Sequence, residues 1–122
     1  MLKKRVQAAE KTSRTEPGKY ETEARDIYGL LREAWEQGVG EVLLNSVVER
    51  YRPSIETNRA RKLFDITEDD CETLEREMTE CSRWIRGHDA PPADGTPLPD
   101  PAEMQTRVQA LESWVAGIRK RR

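Results

Sequence analysis

The chain has 122 residues and a formal net charge of -2, with 36% charged and 35% hydrophobic residues. This length predicts one domain and excludes two separate cores. Because apolar residues are scarce, most helix faces must meet water, which suits a small helical bundle or a module that a partner partly covers. No apolar run approaches the roughly 20 residues that span a membrane, and no signal peptide opens the sequence. We therefore expect a cytoplasmic protein.

The N-terminal residues predict a weak helix followed by a break. Three apolar residues in the first nine positions share a helical stripe, and Pro17 and Gly18 then interrupt the pattern. We expect residues 1–18 to form a flexible basic arm and residues 19–122 to form the single helical domain.

A long helical pattern runs from about residue 20 to residue 51. Gly38 and Gly40 weaken its middle, because each costs about 0.5 to 1 kcal/mol relative to alanine inside a helix. They predict either a kink near residue 40 or a close approach by another backbone. Pro53 ends this helix. Residues 53–66 then fit either a short helix or a short extended segment, and the sequence leaves the choice open.

The next helix has a clear start signal. Thr67 followed by Asp70 resembles a capping box, and acidic residues in the first turn complement the helix dipole. A helix is predicted from about residue 68 to residue 86, with Gly87 just past its end. Its apolar stripe has alternating three- and four-residue steps and consists of Cys71, Leu74, Met78, Cys81 and Ile85.

A proline-rich connector, residues 89–100, separates this helix from the last one. Asp100 as the N-cap, Pro101 at the first helical position and Glu103 at the third predict a new helix that ends near Arg119. Its stripe repeats the same spacing and consists of Met104, Val108, Leu111, Val115 and Ile118.

The two stripes predict the fold class. Because neither stripe is stable in water, we expect the last two helices to pack as an antiparallel hairpin. Trp84 and Trp114 lie beside the stripes and widen the apolar face, so a third helix bearing Trp35 should cover them. The expected fold is all-α, a small bundle of three to four helices. The candidate partner interface lies on the same faces and comprises Trp35, Leu74, Met78, Trp84, Leu111, Trp114 and Val115.

No motif for catalysis or cofactor binding is clear. The chain has no P-loop, no G-x-S-x-G elbow and only one histidine. Cys71 and Cys81 are ten residues apart on one predicted helix, too far for a disulfide or for the usual spacing of zinc ligands, so both should be buried free thiols. His88-Asp89 could be a general base with its orienting group, but ending the helix and pinning the connector is the simpler interpretation. We expect no catalytic residue, no cofactor and no metal.

Nucleic-acid binding is the alternative function. Arg50, Arg52, Arg59, Arg61 and Lys62 lie near Tyr51 and Phe64, which could supply phosphate contacts and a stacking surface. The isoelectric point of about 5.6 and the acidic residues 65–80 disfavour this function, because autonomous nucleic-acid binders usually present a basic face.

Several segments carry a family resemblance: residues 30–36 (LLREAWE), 41–45 (EVLLN), 47–51 (VVERY), 81–89 (CSRWIRGHD) and 110–115 (ALESWV). They resemble the C-terminal region of bacterial SMC-like, coiled-coil AAA-family ATPases, a group with relatives among anticodon nucleases and phage-defence ATPases. The similarity covers about residues 20–120. Those ATPases carry their nucleotide site elsewhere in a much longer chain, and the resemblance assigns no catalytic role to His88.

The resemblance implies a separately encoded or truncated helical module without ATPase activity of its own. We therefore expect a non-enzymatic protein-interaction module that binds a P-loop ATPase or another copy of this chain. Nucleic acid is the less favoured partner, and no membrane partner is expected.

Overall fold

The computed structural model describes residues 1–49, 51–85 and 97–122. These residues form four α-helices: α1 (Leu2–Thr15), α2 (Pro17–Gly38), α3 (Glu68–Trp84) and α4 (Pro101–Arg121). A π-helix (Val39–Leu43) continues α2, and a 3₁₀-helix (Thr57–Asp65) precedes α3. Within the described ranges there is no strand. The prediction of an all-α small bundle is confirmed.

Helices α3 and α4 run antiparallel. At the start of α3, the backbone oxygen of Asp70 accepts a hydrogen bond of 3.1 Å from the indole N–H of Trp114, late in α4. Further along α3, Glu77 pairs with Arg107, early in α4. Helix α2 packs against both, and α3 contacts α2 more extensively than it contacts α4.

The buried face of α3 is rotated from the predicted stripe. The residues of α3 that face the core, which we call its seam, are Asp70, Leu74, Glu77, Cys81 and Trp84. At three of these five positions the observed residue comes one position before the predicted one. Met78 and Ile85 are only half-buried, and Cys71 is exposed, so the expected burial of that thiol is wrong. The prediction missed the rotation because two seam residues are acidic, and each is buried only with an arginine from α4.

The Cys81 thiol is buried, as predicted. Burial, together with the nearby Glu77 carboxylate, raises its pKa to about 12. The thiol therefore stays protonated at neutral pH and is an inert part of the core.

The start signals of the last two α-helices are confirmed. Thr67 and Asp70 exchange two hydrogen bonds of 3.0 Å in a capping box. The Asp100 carboxylate accepts a hydrogen bond of 2.8 Å from the Glu103 backbone N–H, and Pro101 occupies the first turn. Such caps satisfy amide groups that have no partner inside the helix.

Only part of the predicted connector can be described. Residues 97–100 have no regular secondary structure, and the Pro99 carbonyl accepts a 2.5 Å hydrogen bond from the Tyr20 hydroxyl. The predictions for Gly87, His88-Asp89 and residues 89–96 lie outside the described residues.

The first 15 residues are packed into the bundle rather than lying outside it. Helix α1 buries Val6 and Ala9 against α2 and α4, and Lys3 pairs with Glu112 at 3.1 Å. The sequence indicated a weak helix but not its place in the core.

Helix α2 is shorter than predicted. A break near residue 40 is present, but the helical region ends at Leu43 instead of residue 51. Asn45 and Ser46 have positive φ angles of 48° and 57°, which turn the chain away from the helix axis. For residues 53–66 the structure selects the helical alternative, as the 3₁₀-helix.

The centre of the core is a pair of tryptophans. The rings of Trp35 and Trp114 lie 5.0 Å apart at an angle of 57°. Gly38 faces the same cluster, since a Cβ atom there would lie 3.4 Å from Cζ3 of Trp114. The close approach predicted at this glycine thus involves the Trp114 side chain instead of a second backbone.

Candidate interaction surface

The apolar residues predicted to contact a partner hold the bundle together. Four of them are buried in the core: Trp35, Trp84, Leu111 and Trp114. The other three are half-buried and pack against that core: Leu74, Met78 and Val115. A partner that meets the folded domain would not reach the four core residues.

Large exposed apolar side chains are concentrated in one stretch, residues 44–66, which we call the exposed segment. It carries Tyr51 (93% exposed), Phe64 (86%), Ile55 (61%) and Val48, about half exposed. Apart from Met1, these are all of the large exposed hydrophobic residues in the described part of the chain. Apolar side chains grouped in this way are typical of a binding surface.

Hydrogen bonds join two stretches of the exposed segment, residues 46–47 and residues 52–56. Arg52 donates hydrogen bonds to the carbonyl oxygens of Ser46 and Val47, the latter at 3.2 Å. The Glu56 backbone N–H donates to the Val47 carbonyl at 2.8 Å, which closes a loop around Arg52. Arg52 is thus a structural residue of the loop, and its prediction as a nucleic-acid contact stays a prediction.

The far end of the exposed segment is tied to the end of α4. The Arg122 guanidinium pairs with the Asp65 carboxylate at 2.9 Å and donates to the carbonyl oxygens of Val42 and Leu43 at 2.5 and 3.0 Å. Arg122 therefore joins the π-helix, the 3₁₀-helix and α4. Hydrogen bonding to Arg122 holds the pKa of Asp65 below its ordinary value.

The 3₁₀-helix presents basic residues to water. Arg59, Arg61 and Lys62 are exposed, and none of them forms an ion pair among the described residues. With three residues per turn, Arg61 and Phe64 align on one face, and Arg59 aligns with Lys62. Three of the five predicted nucleic-acid residues are thus exposed on one 3₁₀-helix, on two of its faces. Arg50 lies outside the described residues.

A groove lies between α2 and the first half of the exposed segment. It has a volume of about 590 Å³, and its lining includes four carboxylates, one guanidinium and two apolar side chains: Glu33, Glu36, Glu41, Glu49, Arg52, Val48 and Tyr51. We call it the acidic groove. Gly40 of the π-helix forms part of its wall, and a Cβ atom at that position would meet no atom within 4 Å. Sequence reasoning missed this groove because its acidic residues come from both sides of the turn at residues 45–46.

Acid should weaken the contacts of Asp70 with Arg121 and Thr67 at the start of α3. Burial alone would raise the pKa of Asp70, but hydrogen bonds from Arg121 and Thr67 outweigh it, so the pKa lies below the ordinary 3.8. The deprotonated form thus stabilises the fold above pH 3.8, and this contribution is lost as pH falls through the lower folded-state value. We expect Asp70→Asn to lower the melting temperature at pH 6, and the difference from wild type to shrink at pH 3. A constant difference at both pH values would contradict this assignment.

The described residues contain no group of three or more histidine, cysteine, aspartate or glutamate side chains that could hold a metal ion. Among the helices in the described ranges, none combines the length and the apolar character that crossing a membrane requires. No protein-family model, curated protein or solved structure matches this chain.

Proposed function

We propose that this chain is a non-enzymatic protein-interaction module that binds its partner through the exposed segment. The observation that carries the proposal is the concentration of exposed Tyr51, Ile55 and Phe64 on one anchored stretch, while most of the other large apolar side chains are buried in the core or pack against it. Aromatic side chains surrounded by polar groups are characteristic binding hot spots. The anchors at Arg52 and Arg122 support this role, because a surface with a fixed backbone loses less entropy when it binds.

Photo-crosslinking tests the proposal. A benzophenone-bearing phenylalanine at position 64 keeps the aromatic character of Phe64 and should form protein adducts in cells that produce the chain. The same residue at Thr79, which is exposed on α3, is the matched control and should form few adducts. Equal adducts at both positions, or none at position 64, would contradict the proposed surface. The resemblance to SMC-like ATPases makes an ATPase of that kind the first partner to look for among the adducts.

Binding of single-stranded nucleic acid is the second candidate. Its supporting observation is that Arg59, Arg61 and Lys62 are exposed beside the aromatic ring of Phe64. The adjoining acidic groove disfavours it, because four carboxylates repel phosphate. This candidate requires an affinity for single-stranded oligonucleotides that falls with salt and is lost when the three basic residues are replaced by alanine.

A further inference from the structure

The exposed segment borders two surfaces of opposite charge. The 3₁₀-helix presents Arg59, Arg61 and Lys62 beside Phe64, and the acidic groove presents four carboxylates beside Val48 and Tyr51. Each surface thus combines charged with apolar side chains, and the two surfaces carry opposite charges.

Within one chain the two surfaces do not neutralise each other. None of the three basic side chains of the 3₁₀-helix forms an ion pair among the described residues. The cation in the groove wall, Arg52, is already bound to Glu49, Glu56 and backbone carbonyls. Glu33 and Glu41 are exposed, and no ion pair joins either of them to another described residue. Glu36 and Glu49 are already paired with Arg32 and Arg52. The charged groups that remain available to a second molecule are therefore Glu33 and Glu41 in the groove and the three basic side chains on the 3₁₀-helix.

We propose that the occupant of the acidic groove is the basic 3₁₀-helix of a second copy of this chain, in a two-fold symmetric pair. A two-fold axis lets each copy supply one groove and one 3₁₀-helix, so the contact closes at a dimer and forms twice. Phe64 of each copy would then lie against Val48 and Tyr51 of the other. This inference rests on the proposed function, since it names the partner of the exposed segment.

The expected dimer is weak. Two copies of Tyr51 and Phe64 would bury on the order of 600–1,000 Å². That area is near the lower limit of about 1,000 Å² for a specific interface, before the basic side chains are included. Dissociation in the micromolar range is expected. Because the charged contacts are at the surface, raising the salt concentration should dissociate the pair further.

A charge-exchange experiment tests the pairing by sedimentation velocity. In one variant Arg61 and Lys62 become glutamate, and in the other Glu33 and Glu41 become lysine; all four side chains are exposed, so both variants should keep wild-type helicity. Each variant alone should lose at least tenfold in dimer association. An equimolar mixture should dimerise again, because both contacts of the mixed pair join opposite charges.

The matched control makes the same charge change on another helix. Lys4→Glu with Lys11→Glu reverses two exposed cations of α1 and should leave the dimer unchanged. A monomeric wild type at a concentration of several hundred micromolar would overturn self-pairing, as would a mixture that does not recover. A monomer that binds only added single-stranded DNA overturns it in favour of nucleic acid.

The outcome also separates this inference from the proposed function. If the wild type is monomeric while position 64 crosslinks to a different protein, self-pairing is wrong and the interaction surface is supported. If the wild type is monomeric and position 64 crosslinks to nothing, both proposals fail.

Discussion

Replacing Trp35 by alanine should lower the free energy of unfolding by about 3–5 kcal/mol, the usual cost of removing a buried large aromatic side chain. Trp35 has no exposed surface and contacts the ring of Trp114. Its removal would leave a cavity where α2 meets α4. Since small domains are stable by only about 5–15 kcal/mol, we expect the melting temperature, followed by circular dichroism, to fall by more than about 10 °C.

Two further variants make this prediction specific. Tyr51→Ala truncates an aromatic side chain that is 93% exposed, and should change stability by no more than about 0.5 kcal/mol. Trp35→Phe should cost much less than alanine, because the indole N–H of Trp35 has no hydrogen-bond partner in the described part of the chain. Equal losses for Trp35→Ala and Tyr51→Ala would show that Trp35 is not a core residue.

The elements that the sequence predicted well depend on residues close together in the chain. The capping box joins Thr67 and Asp70, which are three positions apart, and the cap formed by Asp100 and Glu103 has the same separation. A helix terminus of this kind can be recognised from sequence because donor and acceptor are separated by a fixed number of residues. The fold class followed from two such helices and their apolar period.

The features that sequence reasoning missed depend on distant residues. Asp70 and Glu77 look like solvent-facing positions until Arg121 and Arg107, 51 and 30 residues away, are placed beside them. The early end of the α2 helical region has a similar origin, because Arg122 binds the last carbonyl oxygens of the π-helix from the other end of the chain. The exposed segment was predicted only as a set of basic residues near aromatic ones, and its groove required the turn at Asn45 and Ser46.

The contrast between local patterns and contacts of distant residues also bears on the proposed interaction surface. Most of the periodic apolar stripe of α4 is buried in the core, while the large exposed apolar side chains of residues 44–66 lie in a segment with no clear period. A regular stripe is selected by helix packing, whereas a binding surface only has to place a few side chains on an anchored backbone. The strongest pattern in this sequence therefore marked the core, and the concentration of exposed apolar side chains in residues 44–66 became visible only in the structure.

The pair of Glu77 and Arg107 should be the most sensitive polar contact in the bundle. Glu77 is 2% exposed, and both of its carboxylate oxygens accept hydrogen bonds from Arg107, at 3.1 and 3.2 Å. Arg107 also pairs with Glu103 at 2.9 Å. Burial alone would lower the pKa of Arg107, but the two carboxylates outweigh that effect and raise it, so the guanidinium stays charged.

Arg107→Met should destabilise the fold by about 3 kcal/mol, because it leaves the Glu77 carboxylate buried without a partner. Adding Glu77→Leu should recover most of that loss, since an apolar pair of similar volume carries no desolvation cost. Lys19→Met, which removes the cation from the exposed pair of Lys19 with Glu16, should cost less than about 1 kcal/mol. Urea unfolding of Arg107→Met, of Glu77→Leu and of the double variant that combines them gives the coupling energy between the two residues. A double variant that is less stable than Arg107→Met would show that Glu77 is held by groups other than Arg107, and that the rotation of α3 has a different cause.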